Sequence, residues 1–574
     1  MRRQPPALFG MVVPDWGSEC TSEIAGFGAS TPLSMETRAQ RAKIYMEVSL
    51  LMRYNSASDI FLAAAEGFEA MASKRWRDAL HKLRTQLGTD SNTDELGKKT
   101  LAKHSVYYML ASGVPGLISF LSIAIYSRLL PPDEYGIFAL VIANTMMVQS
   151  ITYQWIKVSI TRFLPAYRET PRVLLDSILI SYLIVCGLTG IVGLSLFLLT
   201  SNVSTRLLIL VGTLLLWAST WFDLNLEAAR ASLQPARYAW MNMLRSASAI
   251  LIGVTLVLLG WGAYGLLCGH LVSALIASAS STRSLWSLKQ LRWHAEVIRK
   301  ILRYGLPLTA NFAVRYVITT SDRLLIGYFL GAAAAGLYAA GYDLGWRLLT
   351  LLFSSIELAV TPLVFQAFER YDRARAINFL AQVRTLTWAV SAPVAAALIA
   401  APQPLVELTL GTRFRESALV VIPWIALAYL MFVIMNFYNY AFKLGLRTEL
   451  QVLVMAVGAG VNVLLNLLLI PTLKLVGAAI ATAAAFGAAA LLSYTLSQKV
   501  IPMRMQIEDI AKITLAVILM AGVLRLLPLL HGFWGVIQVL LVGSGVYLGS
   551  LWILNPGNLR SRVHRVVSSL KEAS

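Results

Sequence analysis

Fourteen apolar stretches, each long enough to cross a bilayer, fill the chain from about residue 104 to 554. No other feature limits the fold so strongly. A helix needs about 20 predominantly apolar residues to cover a hydrocarbon core of roughly 30 Å, and in lipid every backbone polar group has to be paired within the protein. Runs such as SVYYMLASGVPGLISFLSIAIYS and VLVMAVGAGVNVLLNLLLI meet that requirement, so the sequence predicts an all-α integral membrane protein. The balance of 57% hydrophobic to 14% charged residues lies far from that of soluble domains.

Several chemistries are excluded at this stage. Three cysteines, Cys20, Cys186 and Cys268, build neither a disulfide framework nor a paired-thiol metal site, and the six histidines are scattered without ligand spacing. The nearest approach to a phosphate-binding loop, Gly97-Lys98-Lys99-Thr100, has Asn92 where the motif needs its first glycine. The sequence therefore predicts no metal, no cofactor and no ATP hydrolysis.

Charge fixes the expected orientation. The first hundred residues hold 13 Lys+Arg against 12 Asp+Glu, so almost all of the net charge of +19 belongs to the membrane part. With the spans numbered in order, 28 Lys and Arg fall before the first span, in every second loop and after the last. Only Arg128, Arg206, Arg413, Arg415, Lys474 and Arg525 fall in the opposite loops. A miscounted span would scramble this alternation. Positive residues stay on the cytoplasmic side, which predicts that both termini are cytoplasmic. A basic surface for nucleic acid is disfavoured, because the charges punctuate spans instead of gathering on one domain.

Residues 1–97 are a different material, expected to form a cytoplasmic extension without the apolar core of a signal peptide. Within them 57–87 reads as one amphipathic helix suited to an anionic membrane surface; the alternative is a start at an internal methionine such as Met46, Met52 or Met71. The membrane part carries an internal repeat. Gly113-Val114-Pro115, Arg128-Leu129-Leu130 and Tyr135-Gly136 are echoed by Gly305-Leu306-Pro307, Arg323-Leu324-Leu325 and Gly336-Leu337-Tyr338, and Gly262-Ala263 by Gly477-Ala478. Six spans per copy is an even number, so both copies keep one orientation. The expected architecture is two six-helix bundles, 104–283 and 300–498, about a central cleft, then two further spans within 509–554 and a cytoplasmic tail at 555–574.

Chemistry should reside in the ionisable residues within spans, since these are costly in lipid and face a cavity or a partner. The seventh span contains Asn311, Arg315, Asp322 and Arg323, and the eighth contains Asp343 and Arg347. Asp322 and Asp343 each lie about 12 Å from the same surface at 1.5 Å per residue. A mixed cluster there would store arginines as ion pairs and release them to an incoming anion, and Arg315, without a partner in its own helix, is the leading candidate. Guanidinium suits that role because its planar fork binds phosphate bidentately and keeps its proton. The alternative is an ion pair that only locks two helices together. Arg128, Asp223 and Arg245 form a second tier; Arg128, Lys157, Arg230, Arg245 and Glu357 lie near helix ends, where reaching to the interface is the default.

The stretch RYGLPLTANFAVRYVITTSDRLLIGYFLGAAAAGLYAAGYDLGWRLL, with Asp322-Arg323, Phe329-Leu330-Gly331 and Gly336-x-Tyr338, resembles the polysaccharide transporter, or Wzx-type oligosaccharide flippase, family, as does SRLLPPDEYGIFAL at 127–140. The resemblance runs from about 104 to 498. It implies a multidrug/oligosaccharidyl-lipid/polysaccharide exporter fold, with the two bundles in a V and the last two helices appended. It also implies a flippase that moves undecaprenyl-diphosphate-linked oligosaccharide to the outer leaflet during envelope polysaccharide synthesis, in contact with membrane lipids and with polymerase and export machinery as partners. Two alternatives remain at this stage. A small-molecule exporter on the same fold would favour a cleft rich in carboxylates, whereas a membrane-embedded glycosyltransferase or polymerase would carry a large outer loop. The longest outer segment, about 402–417, offers only Glu407, Arg413, Arg415 and Glu416.

Overall fold

In this computed structural model residues 113–286, 291–370, 373–502, 507–558 and 560 are described. The helix expected at 57–87 and the tail beyond 560 lie outside the described residues. Among the described residues there is no strand. The first half comprises α1 (Gly113–Leu129), α2 (Pro132–Thr152), α3 (Gln154–Phe163), α4 (Pro171–Leu199), α5 (Val203–Ala231), α6 (Pro235–Leu256) and α7 (Gly262–Leu285). The second comprises α8 (Ala295–Leu330), α9 (Ala332–Arg370), α10 (Arg373–Ala400), the short α11 (Gln403–Thr409), α12 (Thr412–Leu444) and α13 (Thr448–Val500). Helices α14 (Ile507–Leu526) and α15 (Gly532–Leu554) follow. With α3 extending α2, and α13 broken into two segments at Lys474, the crossing segments among the described residues number fourteen.

Local sequence sets where each helix starts and stops. Proline stands in the first turn of α2, α4 and α6, where its missing N–H costs nothing and its fixed φ fits. The Asn202 side chain caps α5 by accepting from the Thr205 amide at 3.1 Å. Gly331, at φ +87°, ends α8 and lets α9 begin at once. Two further hairpins turn on positive-φ residues, at Gly260 and Gly262 between α6 and α7 and at Lys474 within α13.

Packing in a bilayer gains little from burying leucine, because lipid is as apolar as the protein interior. The outward faces accordingly carry unpartnered aliphatic side chains, such as Leu188, Ile191, Leu194 and Leu198 on α4. Close backbone approach and polar ties hold the helices instead. The two halves meet where α2 packs on α8 and α9. The repeat glycines Gly136 and Gly336 face each other there: a Cβ on Gly136 would come within 1.7 Å of the Ala332 carbonyl oxygen, and one on Gly336 within 2.2 Å of the Pro132 oxygen. Toward the basic end, Gly305 of α8 presses on the backbone of Trp155 in α3.

A polar seam joins α8 to α13, in which Ser321 donates to Asn462 Oδ1 at 2.9 Å and Asn466 donates to the same oxygen at 3.0 Å. The appended pair rests on α10, through Trp388 Nε1 to Thr514 Oγ1 at 3.1 Å and Tyr547 Oη to the Ala389 carbonyl at 2.7 Å. Their far ends are tied by Glu407 of α11, which accepts from Gln403 Nε2 and the Gly532 amide and lies 3.0 Å from His531 Nδ1. Partial burial works against ionisation there, but the bonds from Gln403, His531 and Gly532 outweigh it and hold the Glu407 carboxyl below the usual range.

Candidate functional site

A cavity of about 520 Å³ lies between the two halves, walled by α1, α2, α5, α6 and α7 from one and by α8 and α9 from the other. Its polar lining includes Ser119, Ser122, Gln149, Ser219, Asn242, Arg245, His270, Tyr316, Thr319, Arg323, Asp343 and Arg347. Three guanidinium groups thus face one lining carboxylate.

Arg323 and Asp343 meet across the short α8–α9 hairpin, with Arg323 Nη2 donating to Asp343 Oδ1. The guanidinium also lies 5.1 Å from the centre of the Tyr342 ring, and its Nε is buried with no partner among the described residues. Arg347, one turn beyond Asp343, reaches Oδ2 only at 3.6 Å and the Ser119 carbonyl of α1 at 3.5 Å. Its side chain stays 43% exposed against 14% for Arg323, so Arg347 is the more loosely held of the two. Four residues between Asp343 and Arg347 suit an ion pair on one helix face, while the Arg323–Asp343 contact depends on the turn at Gly331.

The first half contributes a matching arrangement. Asp223 of α5 accepts from Lys157 Nζ at 2.6 Å and Gln149 Nε2 at 2.9 Å. Arg245 of α6 contacts the same carboxylate at 3.5 Å and Ser219 Oγ at 3.3 Å, its guanidinium 4.4 Å from the Phe222 ring centre. Lys157 largely balances Asp223, which leaves Arg245 weakly engaged at the cavity wall.

Other sequence-derived candidates sit elsewhere. Arg315 is exposed and is not among the lining residues, although seven residues should bring it to the face of Asp322. Two turns are about 10 Å of helix, and a shared face does not guarantee shared surroundings at both ends of that distance. Asp322 itself turns away from the cavity, fully buried, accepting from Tyr338 Oη at 2.6 Å and from the Arg323 amide at 2.8 Å. The side chain of Asn311 lies outside the described residues. Arg128 caps the end opposite the basic face, donating to the carbonyls of Leu408 at 2.6 Å, of Thr409 and of Ala124. Beside it the Gly411 amide donates to Ser127 Oγ at 3.1 Å, so α1 and the α11–α12 turn close that end.

Of the residues placed near helix ends by sequence, Lys157 and Arg245 prove to be engaged inside, whereas Arg230 stays 55% exposed beside Glu227. Gln149, Asn242, His270 and Tyr316 line the cavity without having been singled out in the sequence. Their one signal is a polar group inside an apolar run, which Asn462 and Asn466 share without facing the cavity. Among the described residues no group of three His, Cys, Asp or Glu side chains could hold a metal ion.

A family model described as polysaccharide biosynthesis protein matches residues 125–419. Among solved structures the chain is similar to the lipid II flippase MurJ in an inward closed conformation, with a TM-score of 0.64 at 15% identity, over 78% of this chain and 99% of that one. A transporter of the MOP superfamily from Pyrococcus furiosus Vc1 aligns with a TM-score of 0.48 at 16% identity, over 69% of this chain and 94% of its own. An outward-facing multidrug resistance MATE family transporter of the same superfamily aligns at 0.47 and 17% identity, over 69% and 93%. No curated protein matches. The MurJ likeness establishes the fold; at 15% identity it does not carry the cargo with it.

Proposed function

The chain belongs to the polysaccharide biosynthesis protein family, and from that premise we propose that it is a flippase for lipid-linked oligosaccharide, carrying an undecaprenyl-diphosphate headgroup with its sugars from the inner to the outer leaflet. The observation that carries the reading is the charge of the cavity: Arg245, Arg323 and Arg347 converge on it against Asp343 alone. A diphosphate cannot cross hydrocarbon, because losing its water costs far more than any apolar contact returns. Fixed guanidinium groups substitute for that water. In the empty state Asp343 holds Arg323 and Arg347, and Asp223 holds Arg245. Contacts of 3.5–3.6 Å at Arg245 and Arg347 are long for charged hydrogen bonds, so these two can turn to phosphate oxygens at little cost.

In the proposed orientation the basic loops face the cytoplasm, with both termini there, in a bacterial cytoplasmic membrane. The end closed by Arg128, Gly411 and the Gly136–Gly336 crossing is then the outer one, and cargo enters from the cytoplasmic leaflet with its polyprenyl tail left in lipid. Release to the outer leaflet follows when that closure opens and the cytoplasmic end shuts.

Deleting the gene should trap undecaprenyl-linked oligosaccharide on the inner leaflet, detected by lipid extraction and sidedness labelling. Complementation with Arg323→Ala or Arg245→Ala should lower the flipping rate about 10- to 100-fold, the loss of one charged hydrogen bond of about 1.5–3 kcal/mol. Wild-type rates from both variants, at equal membrane abundance, would refute the proposal.

A further inference from the structure

A second charged group lies outside the central cavity and makes no ion pair among the described residues. Arg384 of α10 is 7% exposed, and none of its Nε, Nη1 and Nη2 atoms has a hydrogen-bond partner among the described residues. It faces a separate cavity of about 110 Å³ enclosed by α9, α10, α12 and the start of α14. That space exceeds several times the roughly 30 Å³ a water molecule occupies in the liquid. The Tyr438 hydroxyl, buried on the same wall, is the neighbour that interacts with Arg384, without a hydrogen bond of normal geometry. Among the described residues Glu357 is the one carboxylate lining this cavity and lies 3.9 Å from Lys443 Nζ, so these three charged groups leave an excess of one positive. The Phe437 ring, 5.0 Å from the guanidinium, offers only partial relief.

A buried arginine none of whose three nitrogens makes a hydrogen bond of normal geometry is a costly arrangement unless an anion completes it. Two features identify the anion. The Thr387 and Tyr440 hydroxyls are engaged by the Val383 carbonyl and Thr361, and most of the remaining wall is carbon, including Phe353, Ile356, Val360, Val383 and Val433, so a hydrated free ion would gain little there while an acyl chain would be well accommodated. Arg384 also lies seven residues into the apolar stretch Ile377–Ala400, about 10 Å from its basic end, a depth a lipid headgroup phosphate reaches with modest local deformation. We infer that this cavity binds the phosphate of an anionic membrane lipid, held by Arg384 and Tyr438 with its chains against α9 and α12. The site is separate from the cargo cavity and does not depend on what the cargo is.

Purified protein in neutral detergent should gain several degrees of thermal stability on adding phosphatidylglycerol and much less on adding phosphatidylcholine or inorganic phosphate. Native mass spectrometry should find the phosphatidylglycerol retained. Arg384→Met should melt higher than wild type without lipid, having lost an unpaired buried charge, and should lose both the lipid-dependent gain and the retained lipid. Arg384→Lys should keep most of both, which shows that a Met variant lacking them is not merely misfolded. A lipid gain that survives Arg384→Met, or a wild type indifferent to phosphatidylglycerol, would overturn the site. Equal gains from inorganic phosphate would keep the anion site but overturn the lipid as its source.

Discussion

The Arg323–Asp343 contact can serve as a lock between α8 and α9 or as a reserve of charge for cargo, and the two roles separate under mutation. Both side chains are largely buried, at 14% and 17% exposure, so removing one partner leaves an uncompensated charge. Asp343→Leu should cost up to about 3–5 kcal/mol, less to the extent that the cavity is wet, read as a fall in melting temperature. Arg323→Met with Asp343→Leu should recover most of that stability, because an apolar pair of similar volume replaces a buried ion pair at little net cost. Flipping should stay impaired in the double variant; full transport at restored stability would reduce the pair to a lock. The sequence disclosed these two residues because charge inside an apolar run has few explanations. It also put forward Arg315, which lies outside the cavity lining because helical spacing fixes a face but not what covers it, and it left Arg384 unremarked, since nothing in the chain near α10 signals a missing partner.

At the level of helices, the Gly136–Gly336 crossing illustrates what a repeat can and cannot say. The sequence showed two related glycines following two related hairpins, without showing that they touch. In the folded chain each occupies the position where the other's helix backbone passes, so even one added methyl group needs the helices to part. Gly336→Ala should therefore destabilise by about 1–3 kcal/mol, the usual cost of overpacking, measured by thermal unfolding in detergent. Gly487→Ala, where a Cβ would meet nothing within 4 Å, should be neutral or slightly stabilising and serves as the control for helix propensity. Comparable losses at both positions would mean that the crossing is not closely packed in the protein. The spans themselves were legible because each must supply its own apolar length. The exact breaks at Gly331 and Lys474 come only from the structure, since a single positive-φ position leaves little trace in an apolar pattern.

For the molecule as a whole, the surplus of arginine in the central cavity bears on energetics across the membrane. Three lining guanidinium groups and one carboxylate amount to about two positive charges when empty and about none once a diphosphate is seated. Each elementary charge moved across the full field is worth about 2.3 kcal/mol per 100 mV, and a cavity that changes its access samples part of that field. In the proposed orientation an interior-negative potential draws the empty cavity back toward the cytoplasm and hardly acts on the loaded one. Imposed potassium gradients with valinomycin in proteoliposomes should accelerate flipping when the entry side is negative, and Arg347→Gln should weaken that dependence; a rate indifferent to voltage would exclude it. On the proposed function, a carrier built this way would be rewound by the electrical polarity of the bilayer it sits in, with no separate fuel needed for the return stroke.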